Sequence, residues 1–271
     1  TDSELIHKIC NVVYRMLTKN KLFMEYLLLL LIIVIAIVSY LNHRRDRKLL
    51  CSVSSPTRGT RAERKLIVKM LKKGVHPKAI FHDLYVKKKS GGYSQIDLVV
   101  ATPQGLVVIE VKDYSGWLFG NARQRYWTQI LNYGQEKYRF YNPIMQNAGH
   151  IRALKEQSEQ IARLPIYNIV LFDGDCTLKD ITYSEFGTFV GYACNIMKVL
   201  KTVKGFSDAE YTDKREVTRV LREAVRNGEN PVVVASHVAD VQSRNWDCPR
   251  PVVNWRSRFF RIPWRRWMRF Y

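Results

Sequence analysis

The stretch SQIDLVVATPQGLVVIEVKDYSG, from Ser94 to Gly116, reads as two apolar β-strands joined by a turn. Three charged residues, Asp97, Glu110 and Lys112, interrupt these strands. Charged side chains are costly to bury and are seldom found inside a sheet without a partner. How these three residues are arranged therefore decides what the hairpin is for.

Asp97, Glu110 and Lys112 converge on one face of the predicted hairpin. A turn centred on the Pro-Gln dipeptide pairs Val99 with Val108 and, two residues along, Asp97 with Glu110. Directly opposed residues of an antiparallel pair have Cβ atoms about 4.5–5.5 Å apart. Because side chains alternate with a period of two, Lys112 shares the face of Glu110.

Two carboxylates placed this closely repel each other, so the pair needs an explanation. Mg²⁺ prefers carboxylate oxygens and usually takes one or two of them, together with water and substrate phosphate. A neighbouring ammonium group can stabilise the negative charge that develops in phosphate chemistry. The structural alternative is a carboxylate–lysine salt bridge on an exposed strand, and the hairpin geometry leaves both open.

Four blocks of sequence extend the comparison beyond the hairpin. They are RGTRAERKL at 58–66, FHDLYV at 81–86, SQIDLVVATPQGLVVIEVKDYSGWLFG at 94–120 and NPIMQNAGHIRAL at 142–154. In their order and spacing they resemble the NERD (nuclease-related domain) family of the PD-(D/E)XK nuclease superfamily. The resemblance implies an α/β, restriction-endonuclease-like core, in which a central mixed β-sheet is flanked by helices.

The resemblance also implies roles for five residues. Asp97 and Glu110 would be ligands of Mg²⁺ or Mn²⁺, and Lys112 would be the catalytic lysine. Glu63, on the first helix of the domain, would contact the metal or its water. Gln146 would help to orient the site.

Two positions depart from the family pattern. The superfamily's proline before the aspartate is absent, and His150 stands where related nucleases often have a tyrosine. Ordinary structural roles also remain open, since Glu63 could cap its helix, and Gln146 and His150 could be polar residues of a helix surface.

Residues 22–41, LFMEYLLLLLIIVIAIVSYL, predict a single transmembrane helix, because about 20 apolar residues cross a bilayer core. A cleaved signal peptide and a buried core helix are the alternatives, but no small-residue cleavage site follows. A run of basic residues follows the helix instead. By the positive-inside rule, we expect a single-pass protein of the cell (inner) membrane with its C-terminal part in the cytoplasm.

The composition supports a globular domain with an anionic partner. Hydrophobic residues make up 46% of the 271, and 44 Lys+Arg against 24 Asp+Glu give a net charge of +20. Such an excess favours nucleic acid or an acidic membrane surface. The five cysteines form no CxxC pair, which argues against a zinc ribbon and against a disulfide framework.

The predicted organisation has six parts. They are an extracytoplasmic segment (1–21), the transmembrane helix (22–41), a basic juxtamembrane linker (42–60), the NERD domain (61–205), a helical and strand extension (206–253) and an arginine- and aromatic-rich tail (254–271). The tail is expected to touch the membrane interface, with nucleic-acid binding or docking on the domain as alternatives.

Hydrophobic periodicity predicts the secondary structure of the globular part. The expected elements are helices from Thr60 to about Gly74, at 143–163 and at 216–226 (capped by Thr212), and strands at 79–86, 94–101, 106–112, 166–172, 188–191 and 232–235. A hairpin at 117–120 and 125–131 is expected to extend the same sheet.

The expected function is therefore a membrane-anchored, metal-dependent nuclease that acts on nucleic acid, DNA in preference to RNA. Two other classes remain: a catalytically inactive nucleic-acid-binding module with the nuclease fold, and a membrane scaffold whose basic face binds anionic lipid.

Overall fold

A computed structural model describes residues 2–244 of the chain, in two compact units that divide between Leu49 and Leu50. Helix α1, Asp2–Cys51, makes up the described part of the first unit and ends two residues beyond it. Its part from Phe23 to Cys51 is long and apolar enough to cross a membrane. The helix continues beyond the predicted span of 22–41, so the first half of the predicted linker is helical. The predicted tail and the last part of the predicted extension lie outside the described residues.

The second unit contains six helices and nine strands among its described residues. The helices are α2 Arg61–Lys72, α3 Pro143–Lys155, α4 Glu159–Arg163, α5 Ile196–Lys204, α6 Lys214–Asn227 and α7 Pro231–Arg244. The strands are β1 Ile80–Lys87, β2 Tyr93–Thr102, β3 Gly105–Asp113, β4 Gly116–Asn121, β5 Tyr126–Leu131, β6 Glu136–Tyr141, β7 Ile166–Asp173, β8 Cys176–Thr182 and β9 Thr188–Tyr192.

The strands form two mixed sheets, one in the order β1-β2-β3-β7-β9 and the other in the order β6-β5-β4-β8. This confirms the predicted α/β class with a mixed central sheet flanked by helices. The prediction that β4 and β5 extend the central sheet is wrong. They pair with each other in the second sheet, together with β6 and β8, which the sequence did not predict.

The β2–β3 hairpin has the predicted register, with Val99 opposite Val108. The turn ends at Gly105, whose φ of +130° is open to glycine and whose Cβ, if present, would clash with the carbonyl of Pro165. β3 then runs parallel to β7, so that one edge of β3 pairs with its hairpin partner and the other with β7. The hairpin lies in the middle of the sheet, so its charged residues are carried by strands that are paired on both edges.

One hydrophobic core lies against a face of the central sheet. It joins residues of β1, β2 and β3 to α3, α4 and α6, among them Leu84, Ile96, Val108, Leu154 and Leu221. Because α6 supplies four buried residues to this core, the described part of the C-terminal extension packs with the nuclease-like part.

Two local predictions in the extension are wrong. Helix α6 is capped by Asp213, whose side chain accepts from the backbone N–H of Glu216, and not by Thr212. The stretch at 232–235 is helical, not a strand. Pro231 fits the first turn of a helix, and the Asn230 side chain accepts from the N–H of Val232, so α7 begins there.

A second core lies between the two sheets. Trp127 of β5 and Phe140 of β6 pack with Val170 and Phe172 of β7, and the Trp127 and Phe172 rings are stacked. Trp127 is fully buried, as expected for a core residue. One face of the second sheet is therefore fixed on the central sheet.

Candidate active site

Glu110 lies at the centre of the candidate site and is only 3% exposed. Its Oε1 is 2.7 Å from Nζ of Lys112, and its Oε2 is 3.4 Å from Nε2 of His150. The alternation of β3 brings Lys112 to the same face, while α3 supplies His150. Both oxygens of the carboxylate thus face a basic group.

Asp97 occupies the point where the hairpin ladder ends. The regular pairing of β2 with β3 reaches Leu98 and Ile109. One residue beyond, the Asp97 Oδ2 accepts a hydrogen bond of 2.8 Å from the backbone N–H of Val111. The Asp97 carboxylate is therefore anchored to the strand that carries Glu110 and Lys112.

The two carboxylates have opposite electrostatic surroundings. Burial raises the pKa of Asp97 well above its usual range, and the charges of Glu110 and Glu63 raise it further. Burial also acts to raise the pKa of Glu110, but Lys112 and His150 outweigh it and lower that pKa to about 2. Burial lowers the pKa of Lys112, but the charge of Glu110 outweighs it, and the net shift is upward. Glu110 is a stable carboxylate, whereas ionised Asp97 has too little positive charge around it.

Helix α3 places His150 in the site, although the sequence left the role of this residue open. The Asn142 side chain caps the helix by accepting from the N–H of Ile144, and its amide donates to the carbonyl of Ala122. His150 Nδ1 is 2.7 Å from Ser94 Oγ, which orients the ring toward Glu110. The departure from the family's tyrosine therefore supplies a direct partner of Glu110.

Gln146 lies one turn before His150 on α3 and is partly buried. Residues four apart on a helix share a face, so its side chain is on the side of α3 that carries His150. The α3 side chain that bonds Glu110 is His150.

Glu63 lies at the start of α2 and is 3% exposed. It forms a capping box with Thr60, since its Oε1 accepts from the Thr60 N–H at 3.1 Å and from the Thr60 hydroxyl at 2.6 Å. Its Oε2 is 2.9 Å from Nε2 of His82, and Nδ1 of His82 is 2.6 Å from Ser54 Oγ. Glu63 does cap its helix, and its charge also contributes to the raised pKa of Asp97.

Strand β1 contains a second group that the sequence reasoning missed. Asp83 has a positive φ of 56°, which is uncommon for a residue with a side chain. Its carboxylate accepts from Arg58 Nε at 2.9 Å and from Gln95 Nε2 at 2.9 Å. Arg58 also donates to the carbonyl of Val225. The segment before α2 is thereby fixed to β1 and α6, and the only sequence signal was that Arg58 and Asp83 lie in two of the matching blocks.

The carboxylate oxygens of Asp97 and Glu110 are ligands of the kind that a divalent cation takes, but such an ion would need other ligands as well. Within residues 2–244, no three His, Cys, Asp or Glu side chains come together as a preformed metal site. Mg²⁺ commonly takes one or two carboxylates and completes its shell with water and phosphate. The excess negative charge at Asp97 also favours a cation there. For Glu63 to bind the same cation, its carboxylate would first have to release Thr60 or His82.

A mixed central sheet whose hairpin brings an aspartate, a glutamate and a lysine together is the arrangement of a nuclease-like α/β domain. The family model described as "Nuclease-related domain" matches residues 58–173. An uncharacterized protein of Bacillus anthracis is 30% identical over 168 residues, which cover 61% of this chain and 75% of that protein. No solved structure matches the chain. The chain belongs to the NERD family, within the PD-(D/E)XK superfamily.

Proposed function

We propose that this protein is a membrane-anchored, metal-dependent nuclease that hydrolyses phosphodiester bonds, with DNA as its main substrate. The observation that carries the proposal is the convergence of Asp97, Glu110 and Lys112 on one hairpin inside the region that matches the nuclease-related family. A structural sheet gains nothing from two adjacent carboxylates, of which one is buried and the other partly buried.

Each residue has a proposed role. Asp97 and Glu110 hold Mg²⁺ or Mn²⁺, which when bound would activate water and neutralise phosphate charge. The Lys112 ammonium, held 2.7 Å from Glu110, stabilises negative charge on the phosphate. His150 fixes the orientation of Glu110 from the other side. Glu63 and Gln146 are proposed as supporting residues, Glu63 through its charge near Asp97 and Gln146 from the His150 face of α3.

Charge and anchoring set the proposed substrate and location. A net charge of +20 suits a polyanion, because each neutralised phosphate releases counterions. Helix α1 would hold the protein in the cell membrane with the nuclease-like domain in the cytoplasm. Degradation of foreign DNA that arrives at the membrane is a use that fits this placement.

Cleavage tests the proposal directly. The purified full-length chain in detergent is incubated with labelled DNA and labelled RNA, with Mg²⁺ or Mn²⁺ and then with excess EDTA. We expect metal-dependent cleavage that EDTA abolishes, with DNA cut faster than RNA. The absence of cleavage with either metal, or cleavage that persists in EDTA, would overturn the proposed mechanism.

The anchoring is tested separately. The full-length chain should stay in the membrane pellet after carbonate extraction, and a reporter fused after Tyr271 should report a cytoplasmic position. Release into the supernatant would remove the transmembrane proposal without affecting the nuclease proposal.

A non-catalytic nucleic-acid-binding module is the second candidate. It is favoured by the two basic partners that already occupy both oxygens of Glu110. This candidate predicts DNA binding in EDTA that is unchanged by Glu110→Gln, and no cleavage with any divalent metal.

A further inference from the structure

The second sheet has an outer face that the proposed active site does not use. Its inner face carries Leu118, Trp127 and Phe140, which are buried against the central sheet. Because strand neighbours alternate between faces, the outer face carries the residues between them. Trp117, which is 36% exposed, and Tyr141, which is 43% exposed, belong to this outer face.

The sheet register shows which outer side chains are neighbours. Trp117 pairs with Ile130, and Ile130 with Lys137, so these three form one row across the sheet. The next row contains Phe119, Thr128 and Arg139, and the third contains Tyr126 and Tyr141. We call this surface the aromatic face and define it by Trp117, Phe119, Tyr126, Arg139, Tyr141 and Lys179.

Cations lie close to two rings of the aromatic face. Lys179 Nζ is 5.2 Å from the centre of the Trp117 ring. The guanidinium groups of Arg125 and Arg139 lie 5.5 and 5.6 Å from the centre of the Tyr126 ring. These are cation–π distances, and they place positive charge beside Trp117 and Tyr126, the two rings on which a base could stack.

The charge on this surface is strongly unbalanced. Arg125, Lys137, Arg139 and Lys179 are exposed, whereas Asp180 is the one carboxylate that the described strands contribute to this face. A protein tail or partner rich in arginine, such as residues 254–271 of this chain, would be repelled. A polyanion fits the charge.

The hairpin tip adds an aromatic ring in an unusual conformation. Tyr133, in the turn between β5 and β6, has a positive φ of 54° and is 96% exposed. Asn132 beside it also has a positive φ. A bulky residue rarely adopts this conformation, and such outliers concentrate at binding surfaces.

We propose that the aromatic face binds single-stranded nucleic acid, with bases stacked on Trp117 and Tyr126 and phosphates paired with Arg139 and Lys179. Single-strand binding sites combine aromatic rings with a basic surface in this way. A membrane interface also attracts Trp and Arg. However, the cations of this face and Thr128 lie among the rings, so that charged and polar groups interrupt the apolar surface that insertion among lipids requires.

The position of the aromatic face relative to the site gives the binding a use. Trp117 follows Lys112 by five residues, so their backbones lie at most about 18 Å apart. A strand that is stacked on Trp117 can therefore extend over this distance to Lys112. The inference rests on the proposed nuclease and specifies its substrate as a single strand or a single-stranded flank of a duplex.

Binding without cleavage is the test. The full-length chain in detergent and EDTA is titrated with a fluorescent oligothymidine and with a duplex of equal length, at a salt concentration that suppresses purely electrostatic binding. We expect tighter binding of the single strand. Trp117→Leu and Arg139→Gln should each weaken it by about 5- to 100-fold. Both variants must keep the wild-type melting temperature.

Lys198→Gln and Lys201→Gln on α5 are the matched controls, since they remove exposed charges from another surface. Wild-type binding by Trp117→Leu and Arg139→Gln, or an equal loss in the α5 controls, overturns the proposal. The proposal is also overturned if Trp117→Leu and Arg139→Gln lose binding to anionic phosphatidylserine vesicles but keep oligothymidine binding. The aromatic face would then be a membrane contact.

The test of the aromatic face and the test of the nuclease activity can fail separately. Metal-dependent cleavage with unaltered binding by the aromatic-face variants would refute the aromatic face and leave the nuclease in place. Oligothymidine binding that depends on the aromatic face, in a protein that cuts nothing, would refute the nuclease and leave the surface in place.

Discussion

Two buried glutamates in this protein have nearly the same first partner and different second partners. Glu63 is bonded by His82 and Glu110 by His150, and both histidines use their other nitrogen to contact a serine hydroxyl. Each glutamate is 3% exposed. In both cases one partner lies on a strand and the other on a helix, and the histidine ring contacts the carboxylate.

The second oxygen separates the two pairs. In Glu63 it is bonded by Thr60 and caps a helix, whereas in Glu110 it is bonded by the charged Lys112 beside Asp97. A neutral cap satisfies a carboxylate within the fold. A second carboxylate beside Glu110 can bind a metal ion, and the lysine can bind a phosphate. We therefore propose that the pair at Glu110 serves chemistry and that the pair at Glu63 serves chiefly structure.

Replacement of Lys112 should have the largest effect. Lys112→Met keeps the aliphatic stem but removes the ammonium that stabilises phosphate charge, so we expect the cleavage rate to fall by at least about 100-fold. Binding of Mn²⁺, measured by calorimetry, should persist. Lys198→Met is the control for loss of one surface charge, and a wild-type rate in Lys112→Met would remove the lysine from the site.

Replacement of His150 should have a smaller effect on cleavage. Groups that orient a metal ligand typically contribute about 10- to 100-fold, and His150→Gln should lose activity within this range. Its melting temperature should stay close to wild type, because the ring is partly exposed. A large loss of stability without a specific loss of rate would make His150 a structural residue like His82.

Replacement of His82 should mainly reduce stability. His82→Ala removes the partner of buried Glu63, which should cost about 1–3 kcal/mol in the free energy of unfolding. Urea denaturation measures this cost, with His76→Ala, an exposed histidine, as the control. If His82→Ala keeps wild-type stability and loses cleavage, the assignment of the two pairs is reversed.

In the absence of metal, replacement of Asp97 should produce the smallest change in stability, and in the opposite direction to that of His82. The raised pKa means that the folded protein binds the Asp97 proton more tightly than the unfolded chain does. The cost of ionised Asp97 is absent below the unfolded pKa of about 3.9 and grows as the pH rises above it. In EDTA at neutral pH, Asp97→Asn should therefore melt higher than wild type, and the difference should shrink toward pH 4.

The same variant tests the cation. Mg²⁺ or Mn²⁺ should raise the melting temperature of the wild-type protein and leave that of Asp97→Asn unchanged. An equal rise in both proteins would place metal binding elsewhere in the chain.

The sequence predicted the central hairpin and the proximity of its three charged residues well because both depend on local rules. The turn fixes which residues oppose each other, and alternation fixes which share a face, so Val99 and Val108 pair as expected. The proximity of Asp97, Glu110 and Lys112 follows from those two rules together with the family resemblance.

Long-range contacts were harder to predict. Nothing in the strand sequence IFHDLYV indicates a partner for His82, and only the fold shows that Glu63 lies opposite it. The positive φ of Asp83 depends on its bonds to Arg58 and Gln95, and periodicity carries no sign of it. The short run at 232–235 is apolar enough for a strand or a helix, and the Asn230 cap decided for the helix.

The different roles of Glu110 and Glu63 are tested most directly when both glutamates are compared in one assay. The rate of metal-dependent DNA cleavage is measured for wild type, Glu110→Gln and Glu63→Gln, each corrected for its folded fraction. We expect a loss of at least about 100-fold for Glu110→Gln and a clearly smaller loss for Glu63→Gln. A wild-type rate for folded Glu110→Gln, or a larger loss for Glu63→Gln, would contradict these roles.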